Sequence, residues 1–277
     1  MSGTITFLVD DSAEEPFSAE HGLSLLIKHD EKNLLFDTGQ GDSLFHNANL
    51  LGLSLSDLDA LILSHGHYDH GGNIANILWL NPSLRLFAHP NCLIPRWSLP
   101  PGKEPKLVGL SEKDKSALLN HPPAKLHWCY RPIEITPTVW ITGSIARNHS
   151  LEDVGGPFYE DKSGTVPDLL SDDLALWIEG DQGLTVLCGC CHSGVVNTIE
   201  HILAQYESAE VNTLLGGLHL LHATNTRLEK TTSFVNQTGI KRVVPAHCTG
   251  VTAMKMFRDE LRAEVRPGTV GLQIRYN

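Results

Sequence analysis

The sequence predicts a mixed α/β fold of layered sheets. Two observations support this prediction: the N-terminal part reads as successive strands, and helices and strands then alternate along the chain. Strands with helices between them typically form sheets that are covered by helices. With 277 residues, 41% of them hydrophobic, the chain is long enough to bury a large core. We therefore expect a single domain over residues 1–277.

The first 90 residues contain short apolar segments bounded by turn residues. Two of these segments flank the polar residues 29–32, which indicates a β-hairpin. A fully apolar strand later runs directly into a histidine-rich segment. The predicted strands are 4–9, 23–28, 33–37, 60–64 and 84–88, and the predicted helices are 44–51 and 73–80.

Residues 90–125 differ in character, because prolines repeatedly interrupt a stretch with little periodicity. One short helical piece is predicted near residues 113–119. We interpret the stretch as an insertion or lid over the core instead of a separate domain. Residues 148–170 also read as a loop, and we expect both segments to shape a pocket.

The C-terminal half returns to regular strands and helices. A turn at residues 180–183 joins two strands into a hairpin, and the next helix carries Val195, Ile199 and Ile202 on one face. The predicted strands are 132–143, 175–179, 184–188, 211–215 and 242–245, and the predicted helices are 194–206, 226–238 and 252–261.

The formal net charge of −11 restricts the partners of the chain. Binding of nucleic acid usually needs a basic surface, and the short Lys241-Arg242 pair does not provide one. No apolar run approaches the ~20 residues that span a bilayer, and the N-terminus lacks the pattern of a secretory signal. We therefore expect a soluble, cytoplasmic protein that acts on a small molecule, with neither nucleic acid nor membrane as partner. The oligomeric state is left open.

Residues 65–70, His-Gly-His-Tyr-Asp-His, carry the strongest chemical signal in the sequence. Four ligand-type side chains directly follow a buried strand, where a loop can turn all of them inward. His65 and His67 suit one cation, and Asp69 and His70 suit a second. Two divalent metals about 4 Å apart bind both the attacking and the leaving oxygen and lower the pKa of a bridging water. The spacing therefore predicts a metal centre and not a polar turn with hydrogen-bonded histidines.

Two further histidines follow predicted strands. His192 lies between a strand and a helix, and His247 follows the strand 242–245. A site at the edge of a sheet can collect side chains from several strand ends. With residues 65–70 present, we predict that both histidines are metal ligands.

The six cysteines do not have the density of a disulfide scaffold. Cys188, Cys190 and Cys191 lie close together, and no second pair stands at the spacing of a thiolate zinc site. We therefore expect these three to pack in the core or to support the metal ligands from behind.

The chain resembles the metallo-β-lactamase superfamily. The motifs that carry this resemblance are Phe36-Asp-Thr-Gly39, the segment His65-Gly-His-Tyr-Asp-His-Gly-Gly72, His192 and His247. The resemblance extends to a narrower branch, the β-lactamase superfamily II metal-dependent hydrolases, which includes proteins named for dihydropterin ribofuranosylaminobenzene phosphate synthase. The motifs of that branch are Glu20-His-Gly-Leu-Ser24, Gly189-Cys-Cys-His-Ser-Gly194, Gly216-Gly-Leu-His-Leu220 and Pro245-Ala-His-Cys-Thr-Gly250.

The resemblance implies a four-layer αββα sandwich with the site at one edge, between the two sheets. The ligands that it implies are His65 and His67 for the first metal, and Asp69, His70 and His247 for the second. Much of the superfamily adds a further His and a bridging Asp. This sequence departs there, because Cys190-Cys191-His192 stands where the Asp is expected. His192 is assigned as a ligand, either of one metal or as the bridge.

Several residues are candidates around the metals. Asp37 is expected to orient a ligand histidine or to fix the Thr38-Gly39 turn. For His21 and His219, a substrate contact and a structural polar contact both remain open. His149 is a candidate for the missing histidine. The remaining candidates, for contact with substrate, are Arg96, Trp97, Arg147 and Tyr159.

The donor set favours zinc, as one or two ions, with manganese and iron as alternatives. In the flavodiiron relatives a Glu typically stands where His67 stands here, and the imidazole at this position favours zinc.

These residues predict a metal-dependent hydrolase that uses a metal-bound hydroxide on a small ester, lactone or phosphodiester. Asp69 and His70 are the expected catalytic residues, since Asp69 would hold the second metal and orient the water. Two alternatives remain. One is a pterin-type synthase or transferase of methanopterin-like biosynthesis, and the other is a non-catalytic metal-binding protein of the same fold.

Overall fold

The computed structural model describes residues 2–206 and 209–277. Two seven-stranded mixed sheets face each other, and helices pack on their outer faces. This is the αββα sandwich that the sequence predicts. Within the described residues, no helix has the length and apolar character needed to cross a membrane.

The first sheet contains most of the N-terminal strands and the last strand of the chain. Its members are β1 (Gly3–Val9), β2 (Ser24–His29), β3 (Lys32–Phe36), β4 (Ala60–Ile62), β5 (Arg85–Ala88), β8 (Leu126–Trp128) and β17 (Gln273–Tyr276). Their order is β17-β1-β2-β3-β4-β5-β8. The helices of this half are α1 (Ser43–Leu50), α2 (Tyr68–Gly71), α3 (Ile74–Leu80) and α4 (Glu112–Leu119).

The second sheet is formed by the C-terminal half. Its members are β9 (Ile133–Thr136), β10 (Val139–Ile141), β12 (Ala175–Ile178), β13 (Leu184–Cys188), β14 (Val211–Gly217), β15 (Arg242–Ala246) and β16 (Glu264–Val265). Their order is β16-β15-β14-β13-β12-β10-β9. The helices that pack on it are α5 (Val195–Leu203), α6 (Asn225–Thr238) and α7 (Val251–Glu260).

The core has three parts, because both faces of each sheet are covered. In β2, Leu25 and Ile27 point into the core between the sheets, whereas Leu26 packs in the core under the outer helices. In β13, Leu187 points into the core between the sheets, and Val186 packs in the core under the outer helices. A strand buried on both faces is a continuous apolar run, which is why these strands are readable from the sequence.

A small third sheet joins the two irregular segments. It contains β6 (Trp97–Ser98), β7 (Lys106–Leu107) and β11 (Phe158–Tyr159), in the order β11-β6-β7. Residues 90–125 and 148–170 are therefore paired through backbone hydrogen bonds. The sequence did not predict these two-residue strands, nor β8, β16 and β17, because such short segments have too few residues to show a period.

Candidate metal centre

The site lies where strands of both sheets end. β3 and β4 are parallel neighbours in the first sheet, and β13, β14 and β15 are parallel neighbours in the second. Their carboxyl ends therefore lie at one edge of each sheet. Asp37 follows β3, and residues 65–70 follow β4. Cys190 and His192 follow β13, His219 follows β14, and His247 follows β15.

The first ligand set contains His65, His67 and His192, which are all buried. His65 Nε2 lies 2.9 Å from His67 Nδ1, and the His192 ring lies 4.8 Å from the His65 ring, centroid to centroid. His65 Nε2 and His192 Nε2 face the centre with their lone pairs, because the other nitrogen of each ring is already used. His65 Nδ1 binds Ser64 Oγ at 2.9 Å, and His192 Nδ1 donates to the carbonyl of Val154 at 2.8 Å.

Burial favours the neutral form of these three rings. Burial lowers the pKa of His67 to about 3 and holds the pKa values of His65 and His192 well below their ordinary value. Among the described residues, His67 Nε2 and His192 Nε2 are buried without a hydrogen-bond partner. A neutral imidazole with a free lone pair is the form that binds a cation.

The second ligand set contains Asp69, His70, His247 and Cys190. His70 Nε2 lies 3.3 Å from His247 Nε2 and 3.1 Å from Cys190 Sγ. His247 Nε2 in turn lies 3.5 Å from Asp69 Oδ2. The sequence analysis predicted a loop for Asp69 and His70. In the structure both residues belong to the one-turn helix α2.

This second set has the character of a cation site. His70 Nδ1 binds Asp37 at 2.7 Å and His247 Nδ1 binds Asp11 at 2.5 Å, so both Nε2 lone pairs face each other. Such an arrangement is repulsive unless positive charge lies between the nitrogens. Burial opposes a charge on His247, yet Cys248, Asp11 and Asp69 raise its pKa well above the ordinary value. A proton thus binds where a metal ion would displace it, and the residues fit a divalent metal.

Asp37 supports both sets at once. One carboxylate oxygen accepts from the Ser64 backbone N–H, and the other accepts from Ser64 Oγ and His70 Nδ1, all at 2.7 Å. It therefore fixes His70 directly and His65 through Ser64. Orientation of ligand rings by such partners is general in metal sites.

Cys190 is the residue whose role the sequence interpretation missed. Its ligand atom lies within 4.8 Å of those of His65 and His192, and also within 4.8 Å of those of His70 and His247. The thiol therefore stands between the two sets, in the segment where the resemblance implies a bridging Asp. The sequence analysis expected Cys190 to pack in the core or to support the metal ligands, and the structure places its buried thiol beside ligand atoms of both sets. The available signal was the Gly189-Cys190 pair directly after the apolar strand β13.

Close backbone approach at two glycines makes this geometry possible. A Cβ at Gly66 would lie 2.3 Å from the carbonyl oxygen of Cys92, and a Cβ at Gly189 would lie 2.1 Å from Ser64 Oγ. Four nearby residues that are not glycine also have positive φ angles: Asp37 at 61°, Cys191 at 60°, His219 at 45° and His247 at 47°. Unfavourable backbone of this kind concentrates at functional sites.

His21 and Asp11 close a polar ring beside the second set. His21 Nδ1 lies 2.9 Å from Asp11, and its Nε2 lies 3.2 Å from Asp69 Oδ2. The hydrogen bonds with Asp11 and Asp69 raise the pKa of His21 to about 9. The sequence did not single out Asp11, which follows the end of β1 by two residues.

The structure places the remaining candidates at different distances from the centre. His219 lies beside His192, with the two rings tilted by 45° and their centroids 4.2 Å apart. Arg147 donates to the His192 backbone carbonyl at 2.8 Å and thus supports this ligand through the main chain. His149 is not brought into the cluster, because its Nε2 pairs with Glu200 on α5 at 2.8 Å. The suggestion that His149 supplies the missing histidine therefore has no support in the structure.

Arg96 is not available for substrate contact, because its side chain is fully buried. It binds Asp168 at 2.7 Å and Asp172 at 2.6 Å. Asp172 also accepts from the Gly66 N–H at 2.8 Å, between the ligands His65 and His67. Arg96 is thus a positioning residue for that loop. Trp97 and Tyr159 pair with each other in the small sheet and do not line the cavity over the ligands.

An open cavity of about 320 Å³ lies above the ligands. His67, Asp69, Cys190 and His247 form part of its lining, whereas His70 does not reach it. Phe158 forms one wall, with its ring 5.0 Å from that of His67. Both irregular segments contribute to the lining, 90–125 through Ser98, Pro100, Lys106 and Val108, and 148–170 through Gly155, Gly156, Pro157 and Phe158.

Comparison with known proteins finds the same fold and similar sequences. The family model for the metallo-β-lactamase superfamily matches residues 18–78, which include the histidine-rich segment 65–70. The crystal structure of Tm1679, described as a metal-dependent hydrolase of the β-lactamase superfamily, superposes with a TM-score of 0.84 and 28% identity. That match covers 98% of each chain. YhfI from Bacillus subtilis, a metallo-β-lactamase fold protein, superposes with a TM-score of 0.60 and 13% identity, over 99% of this chain and 100% of that one.

One similar protein is named as a synthase and not as a hydrolase. The 7,8-dihydropterin-6-methyl-4-(β-D-ribofuranosyl)-aminobenzene-5′-phosphate synthase of Methanocaldococcus jannaschii is 29% identical over 269 residues. The match covers 93% of this chain and 91% of the relative. This chain is therefore similar both to a protein described as a hydrolase and to a protein named as a synthase.

Proposed function

We propose that this chain, which has the metallo-β-lactamase fold and matches the model of that superfamily over residues 18–78, is a metal-dependent hydrolase of a small ester, lactone or phosphodiester. The observation that supports the proposal is that two groups of ligand atoms, His65-Cys190-His192 and His70-Cys190-His247, each lie within 4.8 Å of one another. Cys190 and His247 of these groups line an open cavity. A divalent metal held there would activate water and polarise a carbonyl or phosphoryl oxygen. We propose zinc, because imidazole and thiol ligands together suit this metal.

The residues of the chain have separable roles in this proposal. His65, His67 and His192 would hold one ion, and Asp69, His70 and His247 the other, with Cys190 between them. Asp37 and Ser64 hold the rings of His65 and His70 in the orientation that presents Nε2 to the metal. Phe158 forms one wall of the cavity, beside His67.

Of the two residues expected to be catalytic, only Asp69 reaches the cavity. We therefore propose Asp69 as the group that contacts the attacking water, and His70 as a metal ligand. His21, whose Nε2 is bound to Asp69, stands where a proton could be passed to a leaving oxygen.

The experiment compares wild type with two histidine variants. Metal content is measured by elemental analysis, and turnover is measured on bis(p-nitrophenyl) phosphate and a panel of lactones. His67→Ala should lose bound metal and at least about 100-fold in kcat/KM, as expected for a lost catalytic interaction. His149→Ala is the matched control, because His149 lies outside the centre, and it should retain both. A metal-free wild type, or unchanged turnover in His67→Ala, would exclude the proposal.

A second candidate function, pterin-type synthesis, is favoured by the similarity to the archaeal synthase. It is tested by incubating the metal-loaded protein with a dihydropterin and a phosphoribosyl substrate and by identifying products by mass spectrometry. A coupled product together with no hydrolysis on the panel would replace the hydrolase proposal. Full metal occupancy without turnover in either assay would favour the non-catalytic alternative.

A further inference from the structure

A third group of ligand-type side chains lies next to the two sets described above. The ligand atoms of Cys190, His219 and Cys248 all lie within 4.8 Å of one another. These residues follow β13, β14 and β15, which are neighbouring parallel strands, so their side chains meet at the same edge. His219 and Cys248 lie outside residues 65–70 and belong to neither of the two ligand sets described above.

The local structure holds these three side chains together. The His219 backbone N–H donates to Cys248 Sγ at 3.3 Å. His219 Nε2 donates to the carbonyl of Gly155 at 3.3 Å, which leaves the lone pair on Nδ1. Among the residues that the structure describes, Nδ1 is buried and has no hydrogen-bond partner. A Cβ at Gly217 would lie 2.8 Å from Cys248 Sγ, so the glycine leaves room for the thiol.

We propose that Cys190, His219 and Cys248 form a third ligand set, which binds a soft cation such as Zn²⁺ or Cd²⁺ and shares the Cys190 thiol with the two histidine-rich sets. Two thiolates and one imidazole are ligands of choice for soft metals and poor ligands for Mg²⁺ or Ca²⁺. All three residues also line the open cavity, so an ion can reach them from solvent. The proposal concerns metal binding alone and does not depend on whether the protein is a hydrolase.

The test is a titration of the reduced, metal-free protein with Cd²⁺. Bound cadmium is measured by equilibrium dialysis, and cadmium–thiolate bonds are measured by their ultraviolet charge-transfer absorbance. Cys248→Ser should bind fewer cadmium ions and keep about half of the wild-type absorbance, because one of two thiolate ligands remains. Cys129→Ser is the matched control, since Cys129 is buried in the core between the sheets, and it should behave as the wild type.

A Cys248→Ser variant with the cadmium stoichiometry and absorbance of the wild type would overturn the proposal. Circular dichroism verifies that this variant is folded. Should it not fold, the ¹¹³Cd spectrum of the wild type decides without any variant. A resonance in the range of two sulfur ligands supports the third set, and resonances confined to nitrogen and oxygen ligands with at most one sulfur contradict it.

Discussion

Asp37 lies in the left-handed region of backbone conformation, with a φ of 61°, and its carboxylate is fully buried. It accepts three hydrogen bonds, from the Ser64 amide, the Ser64 hydroxyl and His70 Nδ1. At the residue scale, this one side chain decides which nitrogen of His70 is protonated and, through Ser64, how His65 is turned. The orientation of the ligand lone pairs thus depends on a residue that is not itself proposed as a ligand.

Asp37→Asn tests this dependence. Asparagine tolerates the left-handed conformation, but its amide nitrogen cannot accept the His70 and Ser64 hydrogens. We expect the affinity for Zn²⁺ to fall about 10- to 100-fold, the usual effect of losing such a partner. Competition with a chelator of known affinity measures the change. Asp57→Asn, at an exposed position, is the control, and equal affinities for the two variants would contradict the assigned role.

At the scale of elements, the site depends on contacts between segments that are far apart in sequence. Arg96, in the 90–125 segment, binds Asp168, which lies within the 148–170 loop, and Asp172, which follows that loop. Asp172 holds the Gly66 amide, and the neighbouring Asp173 holds the Ser193 amide at 2.7 Å. Two adjacent carboxylates, Asp172 and Asp173, therefore fix the two ligand-bearing loops around residues 66 and 193, and the buried Arg96 neutralises Asp172.

Arg96→Met should destabilise the protein by about 3–5 kcal/mol, because it leaves buried carboxylates without their counter-charge. Urea unfolding followed by circular dichroism measures the free energy of unfolding. Arg131→Met, at an exposed position, should change it by less than about 0.5 kcal/mol. In the folded fraction we also expect weaker metal binding, since the Gly66 loop loses its support. A stability equal to that of the control would show that Arg96 is dispensable for this contact.

At the scale of the whole molecule, the candidate metal centre contains residues from both sheets. Residues 65–70 are supplied by the first sheet, and Cys190, His192 and His247 by the second. Without a cation the opposed lone pairs and the buried carboxylates work against this junction. Bound metal should therefore stabilise the sandwich as a whole as well as the local loops.

Removal of metal with a chelator should lower the Tm, and addition of Zn²⁺ should restore it. Metal at a hundredfold excess over its Kd contributes about 2.7 kcal/mol. For a chain of this size that corresponds to roughly 5–10 °C. Differential scanning calorimetry measures the shift, and Asp37→Asn should show a smaller one at the same Zn²⁺ concentration. A Tm that is unaffected by the chelator and by Zn²⁺ would show that the centre does not link the sheets.

The sequence by itself determined the features that are local in the chain. Strands buried on both faces, such as β2 and β13, are apolar runs, and the helix α5 shows its apolar face. Residues 65–70 predict a metal centre because four ligand-type side chains are concentrated in six residues. The sequence also indicated His192 and His247, because each directly follows a strand.

Only the tertiary structure decided which side chains converge. Cys190 lies beside the ligand atoms of three sets. Arg96, a candidate for substrate contact in the sequence, is buried and supports the Gly66 loop. His149 pairs with Glu200 and lies outside the cluster. The strand β17 joined the sheet beside β1, although 263 residues or more separate the two along the chain. These outcomes depend on strand order, register and the direction in which each side chain leaves the backbone. Spacing along a sequence carries no information about distances between strands, and therefore the ligand atoms could be assembled only in three dimensions.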